Sequence, residues 1–303
     1  MSTTADAPAA APDQRAIGLT LALAGAVAFS GKAIIVKLAF RHGVDAITLI
    51  MYRMLFALPL FLALAWWAGR GKPALAARDK LSVLALGFSG YYLASTLDFL
   101  GLRYVSASFE RLILYLVPTL VLLISWALFG RRLDGRQLLA LGLSYLGVAL
   151  VFGHELKLEG ADVALGAALV FGSALSYAGY LIGSGEVVQR IGSMRLSGLT
   201  SAVACGLCLL QFALLRPLSA AAVEPVVLWL SLLNAVVCTV APVLMVMMAI
   251  ERVGASVTAQ AGMVGPISTI VMGTLILGEA FTPWVAAGTL CVLGGVGWLM
   301  RLR

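Results

Sequence analysis

Charge is what this 303-residue chain has least of: Asp, Glu, Lys and Arg make up 12% of it, about half the share of ~25% usual in soluble domains. A soluble fold of this length still needs a charged exterior, and the residues for one are missing. The outer surface must therefore face something apolar. Histidine is almost absent: only His42 and His154 occur, both in loops between apolar runs. The chain has no H-E-x-x-H, no Walker A loop and no G-x-S-x-G elbow, so a zinc hydrolase, an ATP-driven motor and a serine hydrolase each lack their machinery. The expectation is a protein that is not an enzyme and needs no metal or cofactor. The four cysteines, Cys205, Cys208, Cys238 and Cys291, all lie in apolar runs, where a small buried hydrophobe is their usual role. Cys205 and Cys208 form a C-x-x-C without a second ligand pair, so no metal site or disulfide is expected there. Alternating ten-residue segments are also missing, which excludes a transmembrane β-barrel.

What is present is apolar length. Hydrophobic residues make up 61% of the chain and the mean hydropathy is +1.01. A helix crosses the hydrocarbon core with roughly 20 apolar residues. Ten segments qualify, near 17–40, 46–68, 81–101, 105–129, 136–153, 163–185, 195–215, 226–249, 255–277 and 283–300. The fold expected is an all-α polytopic membrane protein with the lipid bilayer as its partner. Residues 1–15, small, polar and proline-containing, read as a disordered tail; no basic stretch precedes a short apolar one, so they do not read as a signal peptide.

The net charge is +7, from 21 Lys and Arg against 14 Asp and Glu. The basic residues sit in short loops between spans, a pattern of membrane orientation rather than of a nucleic-acid groove. With the N-terminus inside, the cytoplasmic set is Arg15, Arg70, Lys72, Arg78, Lys80, Arg131, Arg132, Arg136, Arg190, Arg195, Arg252, Arg301 and Arg303. The outside set is Arg41, Arg103, Lys157 and Arg216, a split of 13 to 4. Both termini are expected in the cytoplasm, with the protein in the inner (plasma) membrane.

Sliding the chain on itself by 148 residues reveals an ungapped repeat. Gly18 falls on Gly166, Ala26 on Ala174, Phe29 on Tyr177 and Gly31 on Gly179. Farther on, Val105 falls on Val253, Ala107 on Ala255, Ser108 on Ser256, Pro118 on Pro266, Gly130 on Gly278 and Gly147 on Gly295. One constant offset at both ends of the unit argues for duplication, with repeats at 16–154 and 155–303. Five spans is an odd number, so the second copy must enter the membrane upside down. Inverted repeats belong to secondary transporters, whose sites lie at the repeat interface near the midplane.

The same residues resemble the drug/metabolite transporter superfamily, and within it the ten-helix EamA-type exporters. The family's stretch before the fourth helix matches Leu102 to Ser108, its proline Pro118 and its glycine Gly130. The second copy shows Ile250 to Ser256, Pro266 and Gly278–Glu279, while Arg131 replaces the Glu in the first. The early family motif W-G-x-N-x-x-x-x-K corresponds to Phe29-Ser30-Gly31-Lys32 and Lys37, and Arg53 matches a frequent arginine of the second helix. The resemblance implies a ten-helix exporter; the overall likeness to the YddG type implies neutral and aromatic amino acids as substrates. A lysine at position 32, where many relatives carry a neutral polar residue, departs from the pattern.

Each charge inside a bilayer costs roughly 2.5–3.5 kcal/mol on insertion scales and needs a reason. Lys32 either attracts a substrate carboxylate or pairs with Asp98 or Glu110. Asp98, Glu110 and Arg111, with Lys37, Arg53 and Arg103, form either a gate of ion pairs at the outer side or a static network. Ser173, Ser176, Tyr177, Tyr180 and Ser184 share one helical face; so do Tyr91, Ser95 and Asp98, and so do Ser108, Arg111, Tyr115, Thr119 and Trp126. Polar stripes in lipid must face protein or water. Lys32, Tyr91, Ser95, Tyr115, Ser176, Tyr177, Tyr180, Thr239, Gln260 and Met263 are therefore candidates for substrate binding, with packing between helices as the alternative. Asn234, Pro242, Met245 and Met248 extend an adaptable lining. Pro118 and Pro266, at matching mid-helix positions, are candidate hinges or fixed kinks.

The expectation is export of neutral, including aromatic, amino acids by alternating access. The alternatives are another small metabolite (an organic anion, a nucleotide sugar or a drug) or a non-transporting membrane scaffold. Energy coupling, by proton or by downhill diffusion, stays open. A homodimer is possible, though a monomer suffices for the mechanism.

Overall fold

The computed structural model describes residues 12–130 and 133–302. Arg131, Arg132 and Arg303 of the charge count, and residues 1–11 of the expected tail, lie outside the described residues. The first helix begins at Pro12, so residues 12–15 of that segment are helical. Among the described residues the chain is built from helices and short connections, with no strand.

Ten helices follow in order: α1 (Pro12–Phe40), α2 (Ala46–Gly69), α3 (Ala77–Gly101), α4 (Ala107–Phe129), α5 (Gly135–Glu159), α6 (Asp162–Ile191), α7 (Ser193–Leu215), α8 (Pro225–Gly254), α9 (255–277) and α10 (Pro283–Arg301). Among the described residues, nine are long and apolar enough to cross a membrane; the apolar stretch Val264–Leu277 of α9 is shorter. The fold is a polytopic membrane bundle of two five-helix repeats, the second inverted. Both termini share one face, here called the terminal face. The connections α1–α2, α3–α4, α5–α6, α7–α8 and α9–α10 share the other, the far face.

Local chemistry sets the boundaries. Asp45 caps α2, accepting from the amides of Ile47 (3.0 Å) and Thr48 (3.3 Å). Ser106 caps α4 through the amide of Phe109 at 3.0 Å, and Thr282 caps α10 through that of Val285 at 3.3 Å. These caps satisfy amides that helix starts leave unpaired. Gly130 and Gly278, at equivalent positions, end α4 and α9 in the left-handed region (φ 64° and 76°), which glycine enters without strain.

The repeats pack symmetrically. α1 lies along α8 as α6 lies along α3, α1 meets α9 as α6 meets α4, and α2–α7 and α5–α10 pair across the pseudo-twofold axis. Without a hydrophobic drive between helices in lipid, close backbone approach carries much of the packing. A Cβ on Gly147 of α5 would stand 2.5 Å from the Gly288 carbonyl of α10; one on Gly101 of α3 would stand 2.9 Å from the Gly166 carbonyl of α6.

Two irregularities recur at matching positions. α3 contains a π-helical segment at Gly87–Leu93 and α8 one at Val236–Val240. α4 breaks at Tyr115–Leu116 and α9 at Gly262–Met263, each just before its proline. Pro118 thus sits in the first turn of the second half of α4, where its missing amide costs nothing.

Candidate functional site

The helix breaks and π segments open a cavity of about 460 Å³ between the repeats. Its walls include Phe29 and Lys32 of α1, Arg53 and Phe61 of α2, Tyr91, Ser95 and Asp98 of α3, and Arg111, Tyr115 and Pro118 of α4. The second repeat gives Ser173 and Tyr177 of α6, Ser197 of α7, and Thr239, Val243, Val246 and Met247 of α8. Phe61, Ser197 and Met247 lie in the halves of their helices nearer the terminal face, so the cavity spreads toward that face.

At the other end it meets a buried charge cluster. Lys32 Nζ donates to Asp98 Oδ2 at 2.5 Å and to Glu110 Oε1 at 3.0 Å. Glu110 is fully buried, and the Lys32 side chain is 14% exposed. Arg53 Nε donates to Thr239 Oγ1 at 3.0 Å, and its guanidinium lies 5.1 Å from the centre of the Phe99 ring. The Arg111 guanidinium lies against Gly265 of α9, where a Cβ would stand 2.7 Å from Nη2. Three cationic and two anionic side chains thus converge, an excess of one positive charge. A charge this deep persists only when paired, yet several polar atoms here are buried without a hydrogen-bond partner among the described residues: Asp98 Oδ1, Glu110 Oε2, Arg53 Nη1 and Arg111 Nε. Anionic and cationic valences therefore remain open in one place.

A tyrosine wall stands beside the cluster. Tyr91 meets Tyr180 edge-on at 5.2 Å between centroids, and Tyr177 stacks on Tyr180 at 5.6 Å. Edge-on and offset rings are the favoured aromatic arrangements.

Beyond the cluster, toward the far face, a second pocket of about 380 Å³ is lined by Lys37, Arg41, Arg103, Ser106 and Glu279. Bonds between the repeats join the residues around it. Glu279 accepts from the amides of Ala107 (2.6 Å) and Ser108 (3.2 Å) and from Ser108 Oγ (2.7 Å). Arg41 donates to the Leu277 carbonyl at 2.6 Å. The loops are tied by Arg216–Asp45 at 3.1 Å and His42–Glu224 at 2.7 Å.

Of the residues expected from sequence, the structure brings Lys32, Tyr91, Ser95, Tyr115, Tyr177 and Thr239 to the cavity, together with Asp98, Arg111 and Pro118. Lys32 is spent on both carboxylates, so the guanidinium groups of Arg53 and Arg111 carry the open cationic valence. Glu110 stands behind Lys32 and outside the lining. Ser176 turns to the Ser89 carbonyl at 2.7 Å, and Tyr180 is buried behind Tyr91. Gln260 is exposed, Met263 packs toward Gly297 of α10, and Pro266 is buried behind the cavity wall. Trp126 is 50% exposed, away from the other members of its expected face. Sequence reasoning missed Phe29, Phe61, Ser197, Val243, Val246 and Met247 as lining. In α8 the π segment lets the Thr239 hydroxyl reach the Asn234 carbonyl, five positions back, at 2.9 Å. From Thr239 the lining continues at ordinary helical spacing through Val243, Val246 and Met247, and Asn234, Pro242, Met245 and Met248 stay outside it.

The sequence profile of the EamA-like transporter family matches residues 16–153 and again residues 164–301. An uncharacterized transporter, YcbK of Bacillus subtilis, is 32% identical over 280 residues, covering 88% of this chain and 87% of its own. A second from the same organism, YetK, is 24% identical over 287 residues, 93% of this chain and 87% of its own. An uncharacterized transporter of Archaeoglobus fulgidus is 33% identical over 124 residues, 41% of each chain. A solved crystal structure 18% identical in sequence shares the fold with a TM-score of 0.61 over 95% of this chain and 98% of its own. With two matches to the profile that together span nearly its whole length, this chain belongs to the EamA-like transporter family.

Proposed function

We propose that this protein is a secondary transporter that exports neutral amino acids, aromatic ones included, across the cytoplasmic membrane by alternating access through the central cavity. The observation that carries this reading is the set of open valences: buried Asp98 Oδ1 beside the unpartnered guanidinium nitrogens of Arg53 and Arg111. An amino-acid zwitterion brings an ammonium for the first and a carboxylate for the second, and both bonds would be charge-assisted. Phe29, Phe61, Tyr91, Tyr115 and Tyr177 offer apolar surface for the side chain. A volume of about 460 Å³ suits a small metabolite, ligand pockets running from roughly 300 to 1,000 Å³.

The excess positive charge of the cluster disfavours lipophilic cations. The excess of Lys and Arg on the terminal-face connections supports cytoplasmic termini in the inner membrane. On that orientation, the cavity spreading toward the terminal face and the bonds between the repeats at the far face support an inward-facing reading of this conformation.

Counterflow in proteoliposomes tests the reading. Vesicles loaded with unlabelled amino acids take up labelled tryptophan, phenylalanine or methionine, but not glutamate or a lipophilic cation. Saturable uptake of the neutral set, weakened by Asp98→Asn and by Arg111→Gln, is the expected result. Flux of an organic anion or of the cation alone would overturn the substrate class, and no saturable flux of any solute would overturn transport.

A further inference from the structure

The two cavities stand on the same helices. On α1, Lys32 faces the central cavity and Lys37 the far-face pocket; Asp98 of α3 lines the first and Arg103, just past the end of α3, the second; likewise Arg111 of α4 lines the first and its cap residue Ser106 the second. Five residues of helix rise is about 7 Å, so little more than the Lys32–Asp98–Glu110 cluster divides them. Beside the far-face pocket one contact joins the two repeats. Glu279 follows the left-handed Gly278 at the end of α9 and reaches across the repeat interface to the first turn of α4, taking two backbone amides and one hydroxyl. It also lies against Gly273, where a Cβ would stand 2.8 Å from Oε2. A carboxylate at a helix N-terminus is favoured by unpaired amides and by the helix dipole. Here the cap comes from the other repeat, so α4 cannot part from α9 at the far face without losing it.

Among the described residues the opposite face shows no matching device. The pseudo-twofold equivalent of Ser106, the α4 cap residue, is Gly254, at φ 81° and ψ 162°, which has no side chain to accept a bond. The equivalent of Glu279 in sequence is Arg131, outside the described residues, whose charge has the wrong sign to cap a helix start. We infer that Glu279 is a detachable latch: it caps α4 in the far-face-closed state, must leave it for the far face to open, and biases the resting protein toward the closed state because the terminal face has no equivalent carboxylate. Lys37, Arg41 and Arg103 line the pocket beside it, so cationic side chains stand near the freed carboxylate. This inference rests on the transport reading in requiring two access states, but not on which solute is carried.

The test reads access without a substrate. Leu102 lines the far-face pocket and is fully buried. A Leu102→Cys variant of the full chain in lipid nanodiscs is treated with a maleimide, and mass spectrometry follows the labelled peptide apart from the native cysteines. Adding Glu279→Gln should raise the labelling rate about five- to tenfold, the range expected for loss of a charged cap. Ser108→Ala, which removes one of the three bonds, should raise it about twofold and stands in if Glu279→Gln does not fold. Thr282→Ala, which removes a cap of α10 at the same face, should leave it unchanged. Wild-type labelling rates in both Glu279→Gln and Ser108→Ala, or an equal rise in Thr282→Ala, would overturn the latch. A selective rise in a protein that shows no amino-acid counterflow would leave the latch standing and remove only the proposed substrate.

Discussion

The two repeats share a backbone and divide the chemistry. Cavity-lining positions recur under the 148-residue offset: Phe29 with Tyr177, Tyr91 with Thr239, Ser95 with Val243, Asp98 with Val246. The π segments of α3 and α8 and the breaks in α4 and α9 match in the same way. Yet every charged side chain in the central cluster comes from the first repeat. Lys32 answers to Tyr180, Arg53 to Ser201, Asp98 to Val246 and Glu110 to Thr258. On the proposed function, backbone symmetry would make two mirror-related access states similar in energy, which alternating access requires. Chemical asymmetry would then give a bound solute one orientation, since its charged end could meet charge only on the first repeat. A duplicated scaffold can thus keep its motion while only one copy carries recognition.

That division is broken most severely by removing its central cation. Lys32→Met would leave Asp98 and Glu110 without the ammonium that bridges them. Deleting one partner of a buried ion pair costs about 3–5 kcal/mol. Tyr180→Phe, at the equivalent position, removes one hydroxyl from an aromatic cluster and should cost about 1 kcal/mol or less. Thermal unfolding in nanodiscs, followed by tryptophan fluorescence, compares the two; a Lys32→Met protein as stable as Tyr180→Phe would mean that the charged and neutral halves are not energetically distinct.

The next largest effect sharpens the comparison at the level of flux. Asp98→Asn keeps the size of the side chain and removes its charge. If Asp98 receives a substrate ammonium, the loss of one charge-assisted bond is worth about 1.5–3 kcal/mol, so counterflow at low substrate should fall roughly ten- to a hundredfold. The equivalent substitution Val246→Thr adds a hydroxyl on the neutral side and should change flux by about threefold at most. Equal effects at both positions would show that the solute is not held by its charge.

The asymmetry could be read from the sequence more readily than the geometry that uses it. The offset repeat, the spans and the clustering of Lys32, Asp98, Glu110 and Arg111 in the first copy follow from residue identity alone. Helical periodicity also placed Tyr91, Ser95 and Asp98 on one face, and the cavity takes all three. Residue type alone did not place the rest: α8 lines the cavity with Val243, Val246 and Met247 in place of the methionines expected, and the break at Gly262–Met263 redirects the start of α9, which takes Gln260 and Met263 out of the lining. The role of Glu279 was out of reach, since its partners lie 171 and 172 residues away and nothing in the local pattern of Gly278–Glu279 says which helix it will cap.

A smaller perturbation separates wall from scaffold within one helix pair. On α3, a Cβ on Gly90 would collide with the Tyr180 ring, whereas on the facing α6 a Cβ on Gly179 would meet nothing within 4 Å. Overpacking costs about 1–3 kcal/mol, so Gly90→Ala should lower stability by that amount and push Tyr180 away from Tyr91. Gly179→Ala should be neutral or slightly stabilising, because glycine in a helix interior is less favourable than alanine. Chemical denaturation of the paired variants tests this, and a neutral Gly90→Ala would mean that the tyrosine wall is loosely packed.

The mildest test lies outside the membrane, at the helix starts. Asp45 caps α2, with Thr48 Oγ1 2.5 Å from Oδ2 and the two amides on Oδ1, and pairs with Arg216 of the α7–α8 connection. At the equivalent start of α7 no side chain caps the helix. Burial pushes the Asp45 carboxyl up, but the Thr48 and Ile47 hydrogen bonds and the Arg216 charge outweigh it and hold the carboxyl below its ordinary value of 3.8. Because its folded-state value is depressed, the cap contributes fully above that ordinary value, and its contribution is lost as pH falls through the lower, folded one. The Asp45 side chain is 26% exposed and that of Arg216 36%, so solvent screening limits the ion-pair share, and the whole cap is worth about 0.5–1 kcal/mol. Asp45→Asn should lower stability by a few tenths of a kcal/mol at neutral pH and flatten the acid limb of the stability curve below about pH 4. Ser193→Ala, at the equivalent position on α7, should leave that limb unchanged. An acid limb identical in wild type and Asp45→Asn would show that the difference between the two helix starts carries no energy.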